Sequence, residues 1–279
     1  MYGLALCSGA GGLELGVSLA APGYRAVCYV EGETYAAGVL AARMEEACLA
    51  PAPIWDDLRT FDGRPWRGIV DIVTAGYPCQ PFSLAGKQRG ERDPRYLWPD
   101  VKRVIGEVKP ALVFCENVSA HLSNGFDIVA RDMEALGYRV AAGVFTAWAV
   151  GAPHQRERLF WLAHTDGDVL REQQRRGCGT CWSGAPISGV HSAERSLADT
   201  KREGLERPTW NGVHNSRWST IKSTSGCADD TGWWSSEPGV GRMVDGLAHR
   251  VDRLRAIGNG VVPAVAARAF RVLMEELCD

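Results

Sequence analysis

Residues 69–83 read IVDIVTAGYPCQPFS. A nearly continuous β-branched run ends at Gly76, and a cysteine, Cys79, follows between Pro78 and Pro81. A run apolar on both faces is the signature of a strand buried in a parallel sheet, not of a half-exposed antiparallel one. Similar runs lie at 3–8 (GLALCS), 25–31 (RAVCYVE), 111–118 (ALVFCENV), 139–148 (RVAAGVFTAW) and 158–165 (RLFWLAHT). Between them, apolar residues at helical spacing predict helices over 13–20, 34–49, 98–108 and 127–136, with Pro110 and Gly137 as stop signals for the last two. A further helix is expected over 263–277, with Pro263 at its start. Strands alternating with helices predict an α/β fold: a Rossmann-like, mostly parallel sheet with helices on both faces.

Composition sets limits. The chain has 279 residues, 46% hydrophobic and 23% charged, with a net charge of −2. This is the balance of a soluble globular protein, and it excludes a globally basic nucleic-acid binder while permitting a local basic cleft. No apolar run approaches a membrane span, and the start of the chain has no basic leader pattern. Nine cysteines, several inside apolar runs, suit free thiols in a reducing cytoplasm. The character changes after His164. Residues 165–241 are rich in Gly, Ser, Thr and Arg and hold half of the ten tryptophans. They read as irregular chain with short strands, and the tryptophans imply packing on something.

Five stretches are candidates for chemistry. In CSGAGGLELG (7–16), glycines between a strand and a helix let the backbone approach a ligand. An acid after the next strand, Glu31, is placed for ribose hydroxyls. A tight turn without a ligand fits the same residues. Asp57 and Asp71 follow as carboxylates near strand ends that could line the same cleft, Asp71 being equally readable as a packing residue. Cys79 sits at the carboxyl end of a parallel strand, where open α/β sheets hold their sites, and prolines fix its direction. From composition alone, an inert packing cysteine is the simpler account. Glu116, in FCENVSA, ends a strand expected beside that of Cys79 and suits a raised-pKa acid. Arg156 and Arg158, in HQRERLF, face one side if both are already in the strand. GNGVVP (258–263) is a turn opening the last helix.

The order and spacing of these stretches resemble the cytosine-5 DNA methyltransferases, over 1–164 and roughly 246–279. PCQPFS followed about 37 residues later by ENV is the specific part. The resemblance implies that Cys79 attacks carbon 6 of a flipped-out cytosine and that Glu116 engages ring nitrogen 3. It implies that Arg158 and Arg156 contact the base and order the catalytic loop, and that Asn117 supports the site. The donor, S-adenosylmethionine, would lie against Cys7, Gly9, Ala10, Gly11, Gly12, Glu31, Asp57, Pro78, Asn259 and Val261. Gln80, Ser83, Lys87, Arg89 and Arg92 would belong to a loop that closes on DNA.

The sequence also departs from that pattern. Cys7 stands where an aromatic residue is usual, Ala5 where an acid is frequent, and His154 where a glutamine is usual. The expected organisation is a catalytic and cofactor domain (1–164), a small irregular target-recognition domain (165–241) and a C-terminal segment (242–279) returning to the first. The expected partner is double-stranded DNA, the expected state a monomer in the cytoplasm of a bacterial or phage-infected cell. No metal is expected; Cys178-x-x-Cys181 is too weak a pattern to call a zinc site. Three alternatives share the fold: an RNA cytosine-5 methyltransferase, an enzyme transferring a modified methyl group, and an inactive DNA-binding relative.

Overall fold

The computed structural model describes residues 1–78, 96–165, the backbone of 218–222, residue 252 and residues 258–278. Cys79, Gln80, Ser83, Lys87, Arg89, Arg92, Cys178 and Cys181 lie outside the described residues.

The strands are β1 (Tyr2–Leu6), β2 (Arg25–Val30), β3 (Ile54–Trp55), β4 (Ile72–Ala75), β5 (Leu112–Val118), β6 (Tyr138–Phe145), β7 (Arg158–Thr165) and β8 (Trp218–Lys222). The helices are α1 (Gly12–Ala20), α2 (Thr34–Glu45), α3 (Trp98–Val108), α4 (Phe126–Ala135) and α5 (Pro263–Cys278). They build one eight-stranded sheet in the order β3-β2-β1-β4-β5-β7-β6-β8. All neighbours run parallel except at β7, which is antiparallel to both β5 and β6. The reason is local. Between β6 and β7 there is only a short 3-10 turn, Trp148–Val150, and no helix to carry the chain back across the sheet. β8 comes from the irregular stretch of sequence and extends the sheet at the β6 edge.

Alternation along β5 shows why both faces are covered. Val113 and Cys115 point into a core with α3 and α4 residues such as Val104, Ile105, Val129 and Met133. Leu112 and Phe114 point into a second core with Phe160, Phe270 and Leu273. α5 packs closely on α1: a carbon added at Gly16 would come within 2.5 Å of the Ala266 side chain. Arg271 Nη2 donates to the Leu19 carbonyl at 3.1 Å, and Arg268 Nη1 donates to the Ala149 carbonyl.

Two of the boundaries that differ from the sequence expectation have a clear local cause. β4 begins at Ile72, because the Asp71 carboxylate accepts the Tyr2 amide at 2.7 Å and pins the amino end of β4 to β1. Asp71 is therefore at the end of the sheet opposite the cleft. α2 stops at Glu45, four residues early, because Ala47 turns left-handed (φ 57°) and the amides of Cys48 and Leu49 fold back onto the Arg43 carbonyl. Among the described residues no helix is long and apolar enough to cross a membrane.

Candidate active site

The carboxyl ends of β1, β2, β3, β4 and β5 lie along one edge of the sheet, since these strands are all parallel. At β1 the chain breaks into the turn Cys7–Gly12. Gly9 has φ 54° and Gly11 φ 76°, the left-handed region that a side chain disfavours. Among the described residues nothing lies within 4 Å of a carbon added at Gly9. A carbon added at Gly12 would instead meet the Val261 carbonyl oxygen at 2.6 Å. That close approach brings the turn before α5 against the head of α1.

Glu31 braces this turn. Its Oε2 accepts the Gly9 amide at 2.7 Å and its Oε1 the Glu33 amide at 2.8 Å. From α2, Arg43 Nη1 donates to the Ala10 carbonyl at 2.5 Å. Asp57 Oδ1 accepts the Arg59 amide at 3.0 Å beyond β3. Cys7 is partly buried in a left-handed conformation. Burial, then the nearby Glu31 carboxylate, pushes its thiol up to about 12, so it is neutral at physiological pH and no rival nucleophile. Pro78 and Asn259 are exposed, and Val261 is half-buried. A glycine turn, the head of α1 and a carboxylate at the β2 tip fit an adenosyl donor with its ribose.

The second half of the site is at β4 and β5, which pair in parallel register with Ala75 opposite Cys115. Glu116 is 8% exposed, and a carbon added at Gly76 would lie 4.0 Å from its Oε2. The carboxyl thus stands over the tip of β4, three residues before Cys79. Arg158 Nε pairs with Glu116 Oε1 at 3.0 Å. Burial raises the Glu116 carboxyl to about 7, against the opposing pull of Arg158 and Arg156. A carboxylic acid with that value holds a proton close to physiological pH and can present it to a ring nitrogen.

The two arginines do not act side by side. β7 begins at Arg158, whereas Arg156 precedes it with φ 34°, so the strand alternation does not apply to the pair. Arg158 turns to Glu116. Arg156 Nη2 donates to the carbonyls of Gly258 and Gly260, at 2.8 and 2.5 Å, and fastens the segment before α5. Burial and the neighbouring Arg158 guanidinium hold Arg156 below the usual arginine range. Asn117 donates from Nδ2 to the Tyr77 carbonyl at 3.1 Å, joining β5 to the segment that leads to Cys79.

Three features escape a reading of the sequence: Arg43 on the glycine turn, a buried Glu14–Thr74 hydrogen bond of 2.8 Å, and a side-chain network around Tyr77. Glu14 carried a signal, because it falls within the apolar stripe of α1 made by Leu13, Val17 and Ala20.

The strand ends thus bring together a glycine turn braced by Glu31 and a buried carboxyl paired with an arginine. Comparison with known proteins gives the class. Residues 1–197 match the family described as C-5 cytosine-specific DNA methylase. That is more than half of the chain, and the protein belongs to this family. It is 37% identical over 164 residues to the type II methyltransferase M.PspPI of Psychrobacter sp., covering 55% of this chain and 37% of that protein. With M.NgoMIV of Neisseria gonorrhoeae it shares 33% identity over 168 residues, 57% of this chain and 50% of that protein. The chain thus spans between about a third and a half of the length of these relatives. Among solved structures, a DNMT2 variant from Spodoptera frugiperda superposes with a TM-score of 0.50 at 19% identity, over 60% of this chain and 51% of that one, a likeness of fold.

Proposed function

We propose that the protein is a DNA (cytosine-5) methyltransferase using S-adenosylmethionine. The observation that carries the reading is the Glu116–Arg158 pair at the tip of β5, its carboxyl near 7, beside the strand that leads to Cys79.

In this reading the Cys79 thiolate forms a bond to carbon 6 of a cytosine flipped from its duplex. Glu116 gives or shares its proton with ring nitrogen 3 as the ring takes up the electron pair, and Arg158 holds that carboxyl in place. The ring, no longer aromatic, becomes nucleophilic at carbon 5. The donor supplies an electrophilic methyl group on a sulfonium when bound. Loss of the carbon 5 proton to solvent, with the ring-nitrogen proton returned to Glu116, then expels Cys79 as thiolate and restores the aromatic ring. Gly9, Ala10, Gly11, Gly12, Glu31, Asp57, Pro78, Asn259 and Val261 would hold the donor, with Cys7 as a neutral wall. Arg156 would act by securing the Asn259 turn. Gln80, Ser83, Lys87, Arg89 and Arg92 would follow the DNA backbone and close on it. Residues 165–241 would read the target sequence, and the protein would work as a cytoplasmic monomer in a restriction-modification setting.

Trapping on DNA and on RNA containing 5-fluorocytosine, with donor present, tests this. The expected result is a covalent adduct with DNA that Cys79→Ser abolishes. An adduct with RNA alone would move the substrate to RNA, and none with either would reduce the protein to a binding relative. The mass of the product base checks the group transferred: a gain of one methylene is expected.

A further inference from the structure

Tyr77 is two residues before Cys79, and it is held at both ends. Its carbonyl accepts from Asn117. Its side chain, 4% exposed, enters a buried polar network that the proposed reaction does not use. Tyr77 Oη lies 3.1 Å from His121 Nε2 and 3.3 Å from Trp161 Nε1. His121, 3% exposed, places Nδ1 3.0 Å from the Asn124 carbonyl.

The directions of these bonds follow from the chemistry of the groups. A carbonyl only accepts, so His121 Nδ1 carries the hydrogen. In the neutral ring Nε2 is then an acceptor, and the Tyr77 hydroxyl donates to it. An indole N–H only donates, so the same Tyr77 oxygen accepts from Trp161. Along these bonds the chain runs Trp161 to Tyr77 to His121 to Asn124. Burial lowers the basicity of the His121 ring, in keeping with its neutral form. Aromatic packing fixes the rings: Tyr77 lies 5.3 Å from Trp98 and 5.8 Å from His121, and His121 meets Phe126 edge-on at 6.1 Å.

We propose that His121 is a positioning residue for the nucleophile: it fixes the Tyr77 hydroxyl, and through Tyr77 the backbone from which Pro78 and Cys79 depart. His121 touches neither base nor donor in this account. It acts because a bimolecular attack depends steeply on where the attacking atom starts, and a displacement of about 1 Å is enough to slow such steps roughly a hundredfold. A network with a single allowed set of donors and acceptors defines one position for Tyr77, where an apolar contact would define a range.

The inference rests on Cys79 being the nucleophile, and the experiment separates the two. Single-turnover adduct formation on 5-fluorocytosine DNA is measured for the wild type, Tyr77→Phe, His121→Phe, the double variant and His121→Gln, alongside DNA affinity and thermal stability. Tyr77→Phe removes one oxygen and keeps the ring, so it stays informative if His121→Phe does not fold. Each single change is expected to slow the adduct by about tenfold or more, with DNA affinity within about twofold. The double variant should be no slower than the worse single one, because both break the same link. His121→Gln, whose amide oxygen can accept from Tyr77, should recover most of the rate. An unchanged rate in Tyr77→Phe, or effects that multiply in the double variant, would overturn the proposal. Absence of an adduct in the wild type would instead overturn the reading of Cys79.

Discussion

Glu14 lies on α1 and Glu116 on β5, and both carboxyls are raised to about 7. Both are buried, at 1% and 8% exposure. Their surroundings differ. Glu14, on α1, receives the Thr74 hydroxyl at 2.8 Å on one oxygen, and its other oxygen has no partner among the described residues. Burial raises it, and the more distant Glu31 adds to the shift. Glu116 is raised by burial too, but two arginines pull against it and Arg158 touches it. The same value therefore arises from different sums. A perturbed carboxyl marks a reactive site only where a counter-charge and an open approach accompany it. Glu116 has the counter-charge, in Arg158, at the tip of β4; Glu14 is buried where α1 meets β4, with the Thr74 hydroxyl for a partner.

The comparison breaks first on activity. Glu116→Gln keeps the shape of the side chain and removes its proton chemistry. Single-turnover methyl transfer should fall by about 10²- to 10⁴-fold, the usual range for a lost general acid. Under the same conditions Glu14→Gln should keep its rate within about threefold, because no path leads from that carboxyl to the base. If the two variants lose activity equally, the distinction drawn between them is wrong.

Most of the sheet could be read from the sequence because its strands are buried on both faces, which leaves long apolar runs such as those of β4 and β5. The antiparallel turn of β7 could not, since it depends on the lack of a crossover helix rather than on any pattern within the strand. Glu116 could be placed by its position at a strand end. The roles of the two arginines could not be separated, because spacing of two predicts a shared face only if both are in the strand. Arg156 is not, and its guanidinium finds carbonyls more than a hundred residues away in sequence. The partner of Glu14 was hidden for a related reason: it is Thr74, on β4, sixty residues away in sequence.

Arg158→Ala sharpens the comparison by making Glu116 resemble Glu14. With its contacting cation removed, the Glu116 carboxyl loses the strongest influence opposing burial, and its ionisation should move above 7 by about a unit or more. Carbon-13 spectra of the labelled carboxyl, followed through a pH titration, would report this directly. The adduct rate should fall by about tenfold as well, since the carboxyl is no longer held over the tip of β4. A carboxyl that titrates unchanged would mean that Arg158 is not what sets it.

The smallest effect is on stability, and its sign follows from linkage. For an acid whose folded value exceeds its unfolded value of 4.5, the folded state holds the proton more tightly between the two. Neither form is charged well below 4.5, so there is no cost there. As pH rises from about 4.5 to about 7, each raised carboxyl makes folding less favourable, by up to about 3 kcal/mol per group. Replacing Glu14 by Gln removes one such contribution while leaving the Thr74 hydroxyl an oxygen to donate to. Denaturant titrations at pH 5 and pH 8 should therefore show the wild type losing stability between the two, and the Glu14→Gln variant losing about 1–3 kcal/mol less. Glu116→Gln should reduce the loss by a similar amount, because its folded value is also about 7. A much smaller change for Glu116→Gln would mean that its carboxyl is not raised to about 7 in the folded state.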